Sequence, residues 1–126
     1  MNKKELIIAV DFDGTLFADE YPDIGEPRFE IIETLKEMSA KGHKLILWTC
    51  RMGDFLNDAI KACAAQGLFF DEINNNLSDN ISRYSNNTRK IFADIYIDDR
   101  SILPENFELC FKTPNTKAQS AGIKGV

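Results

Sequence analysis

Ile7-Ile8-Ala9-Val10-Asp11-Phe12-Asp13-Gly14-Thr15-Leu16 is the stretch whose reading decides the fold. An apolar run stops at two carboxylates one residue apart, followed by a glycine and a hydroxyl. A short apolar run closed by turn residues is the pattern of a buried strand. Strand side chains alternate faces, so Asp11 and Asp13 project to the same side while the extended geometry lasts. Two acids held there repel each other unless a cation sits between them or one carries a proton. In open α/β sheets the carboxyl edge of the strands is also where ligands bind. The stretch therefore points to a metal-assisted site.

Working outward, residues 17–26 carry Asp19, Pro22, Asp23 and Gly25, the chemistry of a loop or short hairpin. Pro27 suits the first position of a helix. Phe29, Ile32, Leu35 and Met38, with Ile31, supply its apolar stripe, and Lys41-Gly42 its stop. Lys44-Leu45-Ile46-Leu47-Trp48 reads as a second strand that runs into Thr49-Cys50-Arg51. A second helix is expected over 54–66, with Asp54 as N-cap, Leu56, Ala59, Ile60 and Cys63 as its buried face, and Gly67 closing it. Residues 68–73 read as a short third strand, and the Asn- and Ser-rich 74–88 as a loop with a helical turn. Ala93-Asp94-Ile95-Tyr96-Ile97 is a fourth strand ending in Asp98-Asp99-Arg100. Residues 107–111 read as a fifth, shorter strand, and 113–126 as a loosely held tail.

Strands alternating with helices imply α/β architecture: a mostly parallel sheet of about five strands with helices on both faces. In such a sheet the polar strand ends Asp11/Asp13, Thr49/Arg51 and Asp98/Asp99/Arg100 converge on one edge. The length, 126 residues, fits one domain. Net charge is −5, which disfavours nonspecific binding to nucleic acid. Three cysteines with no CxxC spacing read as reduced thiols in a cytoplasmic protein. No apolar run approaches the roughly 20 residues of a membrane span.

Acids, a hydroxyl and cations on one edge are the equipment of phosphoryl transfer. Carboxylate oxygens suit a hard cation such as Mg²⁺. One carboxylate can attack phosphorus, a second can protonate the leaving oxygen, and a lysine or arginine can offset phosphoryl charge. Lys90, just before the fourth strand, is the favoured candidate for that cation, with the adjacent Arg89 as the alternative. A calcium-loop reading of the acidic turn fails, because Leu16 stands where the invariant Gly belongs and Pro22 where the final Glu belongs. His43, at a helix-to-strand turn away from the expected edge, reads as structural.

Taken together, Asp11-Phe12-Asp13-Gly14-Thr15 (DxDxT), Thr49 closing an apolar strand, Lys90, and Ile97-Asp98-Asp99 resemble the four motifs of the haloacid dehalogenase-like superfamily of phosphatases. The resemblance spans residues 6–100. It implies a three-layer α/β/α sandwich with a Rossmann-like sheet and no cap domain, residues 1–112 forming the hydrolase core. It implies Asp11 as nucleophile, forming an aspartyl-phosphate, and Asp13 as general acid/base. Thr49 and Lys90 complete the catalytic set. Phe12, Gly14, Thr49, Cys50 and Arg51 would line the phosphate and substrate site, and Asp11, Asp13, Asp98 and Asp99 would bind Mg²⁺. The second Asp of the first motif favours phosphate esters over halides. An uncapped site fits a large substrate or cover from a neighbouring subunit of a homo-oligomer. Two alternatives stand beside the phosphate monoester hydrolase: a phosphatase of nucleic-acid ends, and a non-catalytic module that binds phosphate and Mg²⁺.

Overall fold

The computed structural model describes residues 4–112. Among these, four strands form a parallel sheet: β1 (Ile7–Val10), β4 (Lys44–Leu47), β5 (Glu72–Ile73) and β6 (Ile95–Ile97), in the order β5-β4-β1-β6. The α/β reading therefore holds. Between β1 and the first helix the chain builds an antiparallel hairpin of β2 (Phe17–Glu20) and β3 (Asp23–Pro27). Helix α1 (Phe29–Ala40) links the hairpin to β4, α2 (Gly53–Ala65) links β4 to β5, and α3 (Ser78–Tyr84) lies between β5 and β6. A 3-10 turn (Pro104–Asn106) leads into α4 (Phe107–Lys112). Among the described residues no helix is long and apolar enough to cross a membrane.

Alternation along β1 and β4 divides the core. Ile8, Val10, Leu45 and Leu47 face one way and pack with Ile32 and Leu35 of α1, Ala59 and Cys63 of α2, and Phe12, Leu16 and Phe17 of the acidic turn. Ala9 and Ile46 face the other way and are covered by Ile91, Ala93 and the half-buried Leu77. Such burial is the main stabilising term, roughly 1.5–3 kcal/mol for each fully buried aliphatic side chain. The Cys63 thiol is part of this core, and burial pushes its pKa up to about 12. It is therefore unreactive at neutral pH.

Several boundaries differ from expectation. Residues 107–111 are helical rather than a fifth strand. Short apolar runs are ambiguous between the two states, and here Phe107 and Phe111, one helical turn apart, bring their rings to 4.6 Å. The third strand keeps only Glu72–Ile73. Pro27 ends β3 instead of opening α1, because the Arg28 N–H donates to the Leu16 carbonyl at 2.8 Å and holds the chain extended for one more residue. Helix α1 therefore starts at Phe29, and that ring is exposed rather than part of the buried stripe. Met52, not Asp54, is the N-cap of α2, leaving Asp54 in its first turn. The expected tail at 113–126 lies outside the described residues.

The Asn-rich segment acts as a clasp. Asn76, buried, donates to Asn87 Oδ1 at 2.9 Å and to the Thr88 carbonyl at 3.2 Å, and accepts the Phe92 N–H at 2.7 Å. Asn87 donates back to Asn75 Oδ1 at 2.7 Å. These amides join the turn after β5 to the segment that feeds β6. Asn76→Ala removes a buried hub and leaves the Phe92 N–H without its acceptor. We expect a loss of about 2–3 kcal/mol, read as a lower urea midpoint at unchanged slope.

Candidate functional site

The strand order places the acidic turn at the middle of the sheet. β1 is flanked by β4 on one side and β6 on the other, so Asp11 emerges between the ends of both. Backbone bonds fix that convergence: the Asp11 N–H donates to the Ile97 carbonyl at 3.0 Å, and the Trp48 N–H to the Val10 carbonyl at 2.9 Å. A cleft of about 500 Å³ opens over this edge, lined by Asp11, Asp13 and Asp98, by Thr49-Cys50-Arg51, and by Asp19 and Tyr21 of the hairpin.

One carboxylate oxygen from each of Asp11, Asp98 and Asp99 lies within 4.8 Å of the others. Burial, and then the charges of Asp98, Asp99 and Asp13, push the Asp11 pKa up to about 6, against the lowering effect of a hydrogen bond from the Phe12 N–H. The smaller, coulombic part of this shift is the repulsion anticipated for acids crowded at a strand end, and a hard divalent cation relieves it. Gly14 makes the crowding possible. It holds φ at +84°, and a Cβ at this position would collide with the Asp99 carboxylate. Gly14 does not offer its N–H to a ligand, since it donates to the Phe17 carbonyl at 2.8 Å. Phe12 contributes its backbone, while its ring is fully buried and stacks on Phe17 at 4.8 Å.

Asp13 stands apart from the acidic trio. Its two oxygens accept Nε and Nη2 of Arg51, each at 2.8 Å, in a bidentate pair. Arg51 is 2% exposed. Its remaining N–H groups donate to the carbonyls of Pro22, Phe55 and Asp23 at 3.1, 3.1 and 2.9 Å. All five guanidinium donors are thus committed within the protein, which removes Arg51 from the groups available to bind substrate. Hydrogen bonding to Asp13 raises the Arg51 pKa further above its ordinary value, so the side chain stays charged.

Thr49 and Cys50 are in the cleft, as expected. The Thr49 N–H is held by Asn74 Oδ1 at 2.8 Å, and Thr49 Oγ1 accepts the Arg51 N–H at 3.1 Å, so its own O–H still has a proton to donate. Lys90 is not brought against Asp11. It lines an adjoining cleft that shares Asp98, with Nζ 5.8 Å from the centre of the Tyr96 ring. The cation with an exposed side chain in the Asp11 cleft is Arg100, whose N–H is anchored on Asp98 Oδ1 at 2.8 Å. His43 is structural, its Nδ1 accepting the Leu6 N–H at 2.9 Å.

Sequence reasoning missed Asn74, Asp19 and Tyr21. Asn74 follows β5 in a left-handed conformation, φ 51°, which Asn tolerates better than most residues. An Asn at a strand end is the signal that was there to find. Asp19 and Tyr21 carry no spacing signal.

The solved structure of a conserved protein from Bacteroides thetaiotaomicron superposes on this chain with a TM-score of 0.70. It is 41% identical over 79% of this chain and 79% of that one. The two chains belong to one family. No protein-family model matches the chain, and no curated protein does. Kinship at this identity supports the fold, while the chemistry has to be argued from the cleft itself.

Two measurements check this electrostatic picture. Arg51→Met strands the Asp13 carboxylate and three carbonyls, and should cost about 3–5 kcal/mol in urea unfolding, with Arg51→Lys recovering less than half. Asp11 behaves oppositely. Its folded pKa lies above the unfolded value, so its favourable contribution is complete below about pH 4 and is lost as pH rises through about 6. In metal-free buffer at pH 7, Asp11→Asn should therefore raise stability by about 1–2 kcal/mol after allowance for partial exposure, and the gain should vanish by pH 4.

Proposed function

We propose that the protein is a phosphohydrolase that cleaves a phosphate monoester through an aspartyl-phosphate on Asp11. The observation that carries this reading is the cluster of Asp11, Asp98 and Asp99 oxygens within 4.8 Å at the carboxyl end of the central strand, with Asp11 and Asp98 in one cleft with Thr49. The donor set is all carboxylate oxygen, so the residues fit Mg²⁺. Bound there, Mg²⁺ supplies the positive charge that offsets both the acids and the phosphate.

The side chains then divide the work. An Asp11 oxygen attacks phosphorus, and the bond from phosphorus to the ester oxygen breaks. Asp13 gives its proton to the departing alcohol. A water molecule, deprotonated by Asp13, attacks the phosphorus of the aspartyl-phosphate, releasing inorganic phosphate and restoring Asp11. The Thr49 O–H donates to a phosphoryl oxygen. Arg100, in the same cleft, offsets phosphoryl charge more directly than Lys90 does from the adjoining one.

Asp13 constrains the sequence of events. Both Asp13 oxygens accept from the Arg51 guanidinium, so neither is turned toward a departing alcohol. Donation to the leaving group therefore requires Asp13 to turn one oxygen away from Arg51. The three backbone carbonyls keep Arg51 in place while it does.

The same reading treats the sheet, with α1 and α2 on one face and the segment carrying Leu77, Ile91 and Ala93 on the other, as the core of a Rossmann-like three-layer sandwich. It places an uncapped haloacid dehalogenase-like enzyme in the cytoplasm.

Phosphate release from a panel of phosphate monoesters is the direct test. Activity should require Mg²⁺, and Asp11→Asn should lower kcat on the order of 10³-fold or more. Retention of activity in Asp11→Asn removes Asp11 as nucleophile. Binding of phosphate and Mg²⁺ with no turnover on any ester leaves a binding module instead.

A further inference from the structure

The rim of the cleft carries an aromatic ring that the phosphate chemistry does not use. Tyr21 lines the same cleft as Asp11, yet it sits on the hairpin and is 55% exposed. It is held from several sides. The Arg51 guanidinium lies over the Tyr21 ring at 5.0 Å, and the Phe55 ring meets it edge-on at 5.7 Å. The Tyr21 N–H donates to Asp19 Oδ1 at 3.2 Å, and Arg51 pins the next two residues through the Pro22 and Asp23 carbonyls. An exposed aromatic side chain fixed in this way loses little further entropy when a ligand stacks on it.

We propose that Tyr21 is a stacking platform for a nucleobase, so that the substrate of this site is a nucleoside monophosphate. The proposal rests on the phosphohydrolase reading for the phosphate end of the ligand. A cleft of about 500 Å³ has room for a base and ribose beyond the phosphate. Asp19, beside Tyr21 in the cleft, accepts one N–H and keeps acceptor capacity for ribose hydroxyls. A bare sugar also stacks on aromatic rings, but through C–H groups that seek an electron-rich face. The Arg51 cation draws density out of the Tyr21 ring, which disfavours that contact and favours an electron-rich purine. A polynucleotide fits poorly, since the chain carries a net charge of −5 and the rim carries Asp19.

The experiment is titration calorimetry with Ca²⁺ in place of Mg²⁺ to slow turnover, using adenosine monophosphate, ribose 5-phosphate and glucose 6-phosphate on wild type, Tyr21→Phe and Tyr21→Leu. Adenosine monophosphate should bind wild type about tenfold more tightly than either sugar phosphate, as one base–aromatic stack allows. Tyr21→Phe should keep that preference and Tyr21→Leu should abolish it. Equal affinity for the three ligands in wild type overturns the proposal. So does an equal loss for all three in Tyr21→Leu, which reduces Tyr21 to cover for Arg51. A Tyr21-dependent preference for a sugar phosphate overturns the nucleobase assignment. The two levels separate cleanly: tenfold preference without phosphate release under Mg²⁺ upholds the platform and refutes the reaction, whereas release from all esters without preference does the reverse.

Discussion

The buried guanidinium of Arg51 is the constraint on which the arrangement around the cleft depends. It sits 2% exposed and charged, a state that is tolerable only when every donor is satisfied. The five acceptors come from three places: the acidic turn through Asp13, the hairpin through Pro22 and Asp23, and α2 through Phe55. The acidic turn and the hairpin are consecutive in the chain, and α2 lies some distance beyond them. Meeting the demands of one cation therefore sets the position of the hairpin over the sheet edge, the orientation of Asp13 and the site of Tyr21. The Phe12 ring, 5.0 Å from the guanidinium on the core side, extends the same contact into the interior.

Set against that buried cation is a cluster of acids. Asp11, Asp98 and Asp99 arrive at one point because β1 and β6 are parallel neighbours and both end there. Burial, and to a smaller extent mutual repulsion, works against folding with Asp11 charged, and its pKa of about 6 reflects them in that order. The fold bears the strain because the parallel ladder, the Gly14 turn and the apolar layer beneath leave the acids nowhere else to go. Charge is thus neutralised inside the protein at Asp13 and left open for a ligand at Asp11, a division that suits one carboxylate to a held role and the other to a reacting one.

Smaller polar contacts finish the frame. Asp71 and Asp94 each accept a backbone N–H from the neighbouring strand, of Leu45 and Ile7 respectively, at 2.8 Å. They extend the ladders of the two short edge strands at the point where each begins. Asn74 does similar work at the opposite end, holding Thr49 in the cleft, and the amides of Asn75, Asn76 and Asn87 close the segment behind it. A run of three asparagines with no evident chemistry turns out to be joinery.

The sequence by itself determined the parallel α/β frame, the structural role of His43 and the meeting of Asp11, Thr49 and Asp98, and it left a loop or a hairpin after the acidic turn. The reason is local: apolar runs ending in polar residues have the period of strands, and parallel strands place those ends on one edge. What only the tertiary structure decided depends on contacts between distant segments. Whether 107–111 is strand or helix turned on one ring pair, and the start of α1 on a single bond from Arg28 to Leu16. That Arg51 belongs to Asp13 rather than to a ligand, and that Lys90 lies beyond Asp98 while Tyr21 faces the cleft, has no signature in spacing. A charged side chain reads the same in sequence whether it faces a substrate or another part of its own chain, and the difference appears only when the fold fixes which partner it can reach.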